Sequence, residues 1–108
     1  MQAFIFFLSL FANHLFAQDL FFSEYSEGSS NNKYLEIFNP TSQTINLSNY
    51  GIAGVRNSQD TPGQHEVWMD FPSESNIPSK GTYLLSNGSA DESILNNADF
   101  IKDGFSVL

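Results

Sequence analysis

Apolar and polar positions are unevenly spread along this chain. In residues 1–17, 13 residues are apolar, five of them Phe, and none is charged. After Ala17 the pattern changes to short apolar runs separated by clusters of Ser, Thr, Asn, Gln, Gly and Pro. The runs have strand length. Leu20 to Tyr25 comes first, then Tyr34-Leu35-Glu36-Ile37-Phe38, whose β-branched and aromatic content suits a pleated surface. Thr44-Ile45-Asn46-Leu47 alternates with period two, which directs Ile45 and Leu47 to the core. Tyr50 to Val55, Glu66 to Met69 and Thr82 to Ser86 follow. Between them, Ser26–Asn32, Asn39-Pro40-Thr41-Ser42, Asn57–Gly63 and Pro72–Lys80 carry turn and loop chemistry, with Lys80-Gly81 returning the chain into Tyr83. Short strands at this spacing predict an all-β sandwich or barrel.

A single helix is predicted, a two-turn segment over Ala90 to Ala98. Ser89 is placed as its N-cap, Glu92 completes a Ser-x-x-Glu capping box, and Ile94, Leu95 and Ala98 form an apolar face. The segment Phe105-Ser106-Val107-Leu108 reads as the start of a further strand. An apolar strand ending without a turn or polar cap invites edge pairing, so residues 18–108 are expected to be a domain that lacks its last strands.

The apolar run of residues 3–12 is too short for a helix spanning a hydrocarbon core about 30 Å thick. It has the length of a signal-peptide h-region, with Leu15-Phe16-Ala17 before a cleavage point and Gln18 as the first mature residue. Met1-Gln2 departs from the usual basic n-region. A buried N-terminal element and a retained membrane anchor are the other readings of this stretch. With no cysteine in the chain, lipoprotein processing, a disulfide framework and a Cys-based zinc site are all excluded.

Charge narrows the function. All 12 acidic and all 4 basic residues follow the leader, so the formal charge of −8 belongs to the body. That balance opposes binding to a phosphate backbone, and no nucleic-acid partner is expected. His65 is the only histidine after the leader and sits in a Pro-Gly loop, read as exposed. It has no convergent ligand set or triad partner in sequence, so no catalytic residue is assigned. Glu24 and Glu36 approach each other if their strands are antiparallel neighbours. They are then either solvated glutamates with Lys33 near by or ligands to a hard cation such as Ca²⁺. Asp99 and Asp103, beside Gly104, form a second acidic pair of the same kind. Trp68, Tyr25, Tyr34, Tyr50 and Tyr83 are either core aromatics or a recognition surface for protein or sugar.

Ser23-Glu24-Tyr25, the Glu27-Gly28-Ser29-Ser30-Asn31-Asn32-Lys33 loop, Tyr34 to Thr41, and Ile45-Asn46-Leu47-Ser48-Asn49-Tyr50 together resemble the opening of a bacterial lamin-tail domain. Ser89 to Leu95 with Ala98-Asp99 resembles that family's helical insertion, and Thr61-Pro62-Gly63 to Trp68 with Phe71-Pro72 resembles a secreted subgroup. The resemblance covers residues 19–108 and implies an immunoglobulin-like β-sandwich with one short helical insertion, its C-terminal strands missing. It implies a secreted or cell-surface protein that meets the membrane only during export. The expected role is a non-catalytic module for recognition, adhesion or spacing, whose partner is an extracellular protein, a glycan or a downstream domain of the same polypeptide. The alternative is an accessory domain ahead of an extracellular nuclease or phosphatase. The stretch from Asp99 to Gly104 is shorter than the loop the family carries there.

Overall fold

The structure, a computed structural model, describes residues 19–55, 61–65 and 67–106. The expectations for the leader, for Asn57–Asp60, for Glu66 and for Val107-Leu108 lie outside the described residues. Eight strands are formed within them: β1 Phe21–Glu27, β2 Lys33–Phe38, β3 Ile45–Asn46, β4 Gly51–Gly54, β5 Val67–Asp70, β6 Asn76–Ile77, β7 Thr82–Asn87 and β8 Phe100–Lys102. One sheet has the order β1-β2-β7-β8, and the other strands pair as β3 with β6 and β4 with β5. All ladders are antiparallel except β7–β8. Parallel neighbours cannot be joined by a tight hairpin, and residues 88–99, which contain the helix α1 Glu92–Leu95, make the crossover. The architecture is an immunoglobulin-like β-sandwich, as the strand pattern and the resemblance imply.

A bulge sets which residues share a face. In the β1–β2 ladder Phe22 opposes Ile37 and Glu24 opposes Glu36, so Ser23 is the extra residue. Directly opposed residues point to the same side of a sheet. The inner side therefore carries Phe22, Tyr25, Leu35, Ile37, Tyr83 and Leu85, and the outer side carries Glu24, Tyr34, Glu36 and Leu84. Ile37 and Tyr83 join Leu47 and Ile77 in the buried core, with Leu20, Tyr50, Ile52, Phe71 and Phe100 packed around it.

Several sequence expectations change here. Leu47 is buried as expected, but it opens a 3₁₀ turn, Leu47–Asn49, capped by the Asn46 carboxamide, which accepts from Ser48 N–H at 2.8 Å. Strand β6, inside the Pro72–Lys80 turn segment, was not anticipated. It contributes Ile77, a fully buried core residue. Strand β8 occupies the stretch read as a loop before Gly104. The helix is a single turn, and Asp91, not Ser89, holds the N-cap position. The capping box fails because Ser89 N–H is already bonded to Asn87 Oδ1 at 2.8 Å, which keeps Ser89 in the turn leaving β7. Asp91 is in turn clasped to the β1–β2 loop: Asn32 Nδ2 donates to Asp91 Oδ2, and Asp91 N–H donates to Asn32 Oδ1, both at 2.8 Å.

Asn39, directly after β2, is fully buried and polar. The two N–H groups of its carboxamide are shared among the carbonyls of Gln43 (2.8 Å), Ile77 (2.9 Å) and Pro78 (3.1 Å). Its carboxamide oxygen accepts from Thr41 N–H (2.9 Å) and from the Thr41 hydroxyl (2.7 Å), an Asx turn that shapes the Asn39-Pro40-Thr41 bend. Its main chain extends the β2–β7 ladder, donating to Gly81 O and accepting from Lys80 N–H. Removing the side chain would take this donor from the buried Ile77 carbonyl, while Pro78 O keeps its bond from Gly81 N–H, and buried unsatisfied groups are costly. Asn39→Ala is expected to lower stability by about 2–4 kcal/mol, read as a fall in urea midpoint at unchanged m-value. A shift within experimental error would show that the network is dispensable.

Candidate recognition surface

The outer face brings together one of the two acidic pairs anticipated from sequence. Glu24 and Glu36 are direct cross-strand partners. Each carboxylate has its own hydroxyl donor: Tyr34 Oη donates to Glu24 Oε1 at 2.6 Å, and Ser23 Oγ donates to Glu36 Oε1 at 2.8 Å. The bulge is what places Ser23 beside Glu36. Lys33 is not engaged with this pair; its ammonium sits 3.3 Å from Glu27 Oε2.

Asp99 and Asp103 serve different parts of β7 and the turn after it. Asp99 accepts Leu84 N–H through Oδ2 at 2.8 Å, while its own N–H donates to Leu84 O at 2.8 Å. The Asp103 carboxylate lies against Gly88, where an added Cβ would stand 1.9 Å from Oδ1. Any residue larger than glycine at position 88 would displace it. Among the described residues, no three His, Asp or Glu side chains are grouped to hold a metal ion.

Four hydroxyl-linked groups have displaced acidities. The hydrogen bond to Glu24 raises the Tyr34 phenol above its ordinary value of 10.0, helped by slight desolvation and the charges of Glu24 and Glu36. The bond from Tyr50 Oη to Asp19 Oδ1, 2.7 Å long, raises Tyr50 and lowers Asp19, which also accepts from Leu20 N–H. Burial raises Tyr83, partly offset by its hydrogen bond with Ser75 and reinforced by the charge of Asp99.

The five aromatics named from sequence separate in space. Tyr83 is in the core, Tyr50 packs on it, and Tyr34 lies on the outer face. Tyr25 and Trp68 are both well exposed, at 67% and 56%, but Trp68 opposes Ala53 while Met69 opposes the core-packed Ile52, so the indole lies on the hairpin face away from the sheet. Tyr25 lines a cleft of about 860 Å³ between the inner face of the sheet and the β4–β5 hairpin. Phe22, Leu35, Phe100 and Phe105 line it as well. These partners were not foreseen, because Phe22 reaches this face through the bulge and Phe100 through the unforeseen β8. Trp68 is fixed by three neighbours. Its indole N–H donates to Asp70 Oδ1 at 2.8 Å, His65 stacks at a tilt with ring centroids 5.3 Å apart, and Gly51 leaves room beneath. A Cβ on Gly51 would come within 2.3 Å of the indole, so this seat requires glycine. His65 itself is exposed, as expected.

Acidic groups accompany the aromatics. Glu27, Asp70, Asp103 and Lys102 are among the residues that line the cleft, and Lys33 pairs with Glu27. Glu27 Oε2 is paired with Lys33, but Glu27 Oε1 is buried with no hydrogen-bond partner. The cleft therefore offers mainly apolar contact, from Phe22, Tyr25, Leu35 and Phe100.

Compared with known proteins, the chain matches the family model described as Lamin Tail Domain over residues 17–107. No curated protein and no solved structure matches it.

The tyrosine bonds make stability sensitive to alkali. A phenol whose folded acidity constant is raised contributes stability fully present below its unfolded value near 10, lost as pH rises through the raised folded value. For Asp19, lowered in the fold, the contribution is present above the unfolded value of 3.8 and lost as pH falls through the lowered one. The melting temperature is therefore expected to drop above about pH 10, less steeply in the double variant Tyr34→Phe, Tyr50→Phe. Equal slopes in the two proteins would overturn this.

Proposed function

Because the chain belongs to the lamin tail domain family, we propose that it is a non-catalytic, secreted recognition module. It acts in binding or adhesion outside the cell, or as a spacer joined to other domains. The observation that carries this reading is the open aromatic cleft. Phe22 and Tyr25 on its sheet wall are more than half exposed, and contiguous exposed apolar surface is a mark of interaction sites. The contacts of the candidate groups fit this reading: His65 meets the Trp68 ring, and the carboxylates of Glu24 and Glu36 each accept from a hydroxyl. Secretion rests on the leader, whose apolar run and Ala17 suit export and cleavage.

The competing reading, an accessory domain of an extracellular hydrolase, is separated by two measurements. In the producing cell, the protein is expected outside the cytoplasm with Gln18 as its first residue, read by mass spectrometry of the intact protein. Intracellular protein that retains Met1 would overturn export. The purified chain is expected to hydrolyse neither phosphodiester nor phosphomonoester substrates above background, and turnover that co-purifies with it would overturn the non-catalytic reading.

A further inference from the structure

We infer that Asn87-Gly88, at the end of β7, is a site of spontaneous covalent modification. It is a deamidation site that the fold holds unreactive and that reacts when the end of β8 and the segment after it separate from β7. This does not depend on what the cleft binds.

The reaction is intramolecular. Hydroxide takes the Gly88 amide proton, and Gly88 N attacks Cγ of the Asn87 side chain. The N–Cγ bond forms, the Cγ–Nδ2 bond breaks, and ammonia leaves with a proton from water. Water then opens the cyclic imide on either side. Breaking the new bond leaves a carboxylate at position 87 on an ordinary backbone. Breaking the original bond between Gly88 N and the Asn87 main-chain carbonyl routes the backbone through the side chain. Nothing is oxidised or reduced, and water is the only co-reactant. Glycine after the asparagine favours the attack, because it has no Cβ to restrict the backbone around the nucleophile. Asn87-Gly88 is the one Asn-Gly pair in the sequence.

The fold requires both members of this pair. A Cβ at position 88 would stand 1.9 Å from Asp103 Oδ1, so only glycine fits there. Asn87 is buried, and its carboxamide is used at both ends. Oδ1 accepts from Ser89 N–H at 2.8 Å, and Nδ2 donates to the Phe105 carbonyl at 2.8 Å.

These contacts also stop the reaction. The nucleophile is engaged, since Gly88 N–H donates to Lys102 O at 3.3 Å. The carboxamide oxygen is fixed by Ser89, and the leaving nitrogen is tied to Phe105. For Cγ to reach Gly88 N, the carboxamide must turn and these bonds must break. The rate therefore follows the fraction of molecules in which this corner is open. Conversion then makes the opening permanent. A carboxylate has no N–H to donate, so at position 87 it meets the Phe105 carbonyl acceptor to acceptor. It also adds a like charge one residue from the seat of the Asp103 carboxylate. Phe105 lines the cleft, so the change loosens one part of that wall.

The test incubates the full chain in mildly alkaline buffer, folded and in urea above its unfolding midpoint. A synthetic peptide of residues 84–91, incubated in both buffers, corrects for the effect of urea on the chemistry. Conversion is read by peptide mapping and mass spectrometry. In urea, Asn87 is expected to give two products of equal mass, separable by chromatography. In the folded chain the conversion is expected to be slower by at least about tenfold. Equal corrected rates would overturn the protection, and no conversion in urea would overturn the site. A single product would show direct hydrolysis and overturn the imide route. Asn87→Asp reproduces the first product. Trypsin is expected to cut it after Lys102 about threefold faster than the parent chain, with cleavage after Lys33 unchanged. An unchanged rate at Lys102, or equal acceleration at both sites, would overturn the local opening.

Discussion

The rest of the sandwich depends on the buried carboxamide of Asn39. Where β2 ends, the chain must turn through Pro40 and bring β3 and β6 under the sheet. The carbonyls of Gln43, Ile77 and Pro78 all point at one nitrogen, and Thr41 supplies both donors to the oxygen. A polar side chain with no exposed surface is tolerated only when its bonding capacity is filled, and here three carbonyls share the two N–H groups while Thr41 fills both lone pairs of the oxygen. The bond to the Ile77 carbonyl places the two-residue strand β6, and Leu47 N–H donating to Ser75 O ties the 3₁₀ turn to the same segment. Leu47 and Ile77, the most deeply buried core residues together with Leu85, are thus positioned by a polar group. Strands as short as β3 and β6 have little ladder of their own, so this anchoring stands in for length.

Packing is uneven along the inner face. Near Ile37 and Tyr83 the second layer is close: Phe71 meets Tyr83 edge to face at 5.5 Å, and Tyr50 and Ile52 complete the enclosure. Toward Leu35, Tyr25 and Phe22 the β4–β5 hairpin stands off and the cleft opens. The cleft is the poorly filled end of the same interface that forms the core. Rigid elements flank it. The Asn32–Asp91 clasp holds the crossover to the β1–β2 loop, and Asn87, bonded to Ser89 N–H and to the Phe105 carbonyl, holds the segment after β8.

Most of the strand plan was legible because each strand of five or more residues carries its own pattern. Tyr34 to Phe38 and Thr82 to Ser86 could be read directly, and so could the turns around Asn39-Pro40 and Lys80-Gly81. The short elements could not. Asn76-Ile77 holds one apolar residue between prolines, and it becomes a strand only because Asn39 and Ile45 provide partners. Ser89 and Glu92 carry a cap signature, yet Asn87 claims the Ser89 amide first. For the acidic residues, sequence indicated that Glu24 and Glu36 meet if their strands pair, and they do. It could not indicate that Tyr34 and Ser23 would answer their charge.

By itself, the sequence determined the apolar leader, the acidic polar body, the all-β class and the family, since composition, turn chemistry and local periodicity are properties of neighbouring residues. Tertiary structure alone decided which aromatics share a surface. Strict alternation along β1 would place Tyr25 with Phe21, on the side away from Phe22. The single extra residue at Ser23 reverses that phase and brings Phe22 and Tyr25 to the inner face. A bulge is settled by pairing with the neighbouring strand, not by the run that contains it, and so the cleft became visible only once β1 was laid against β2.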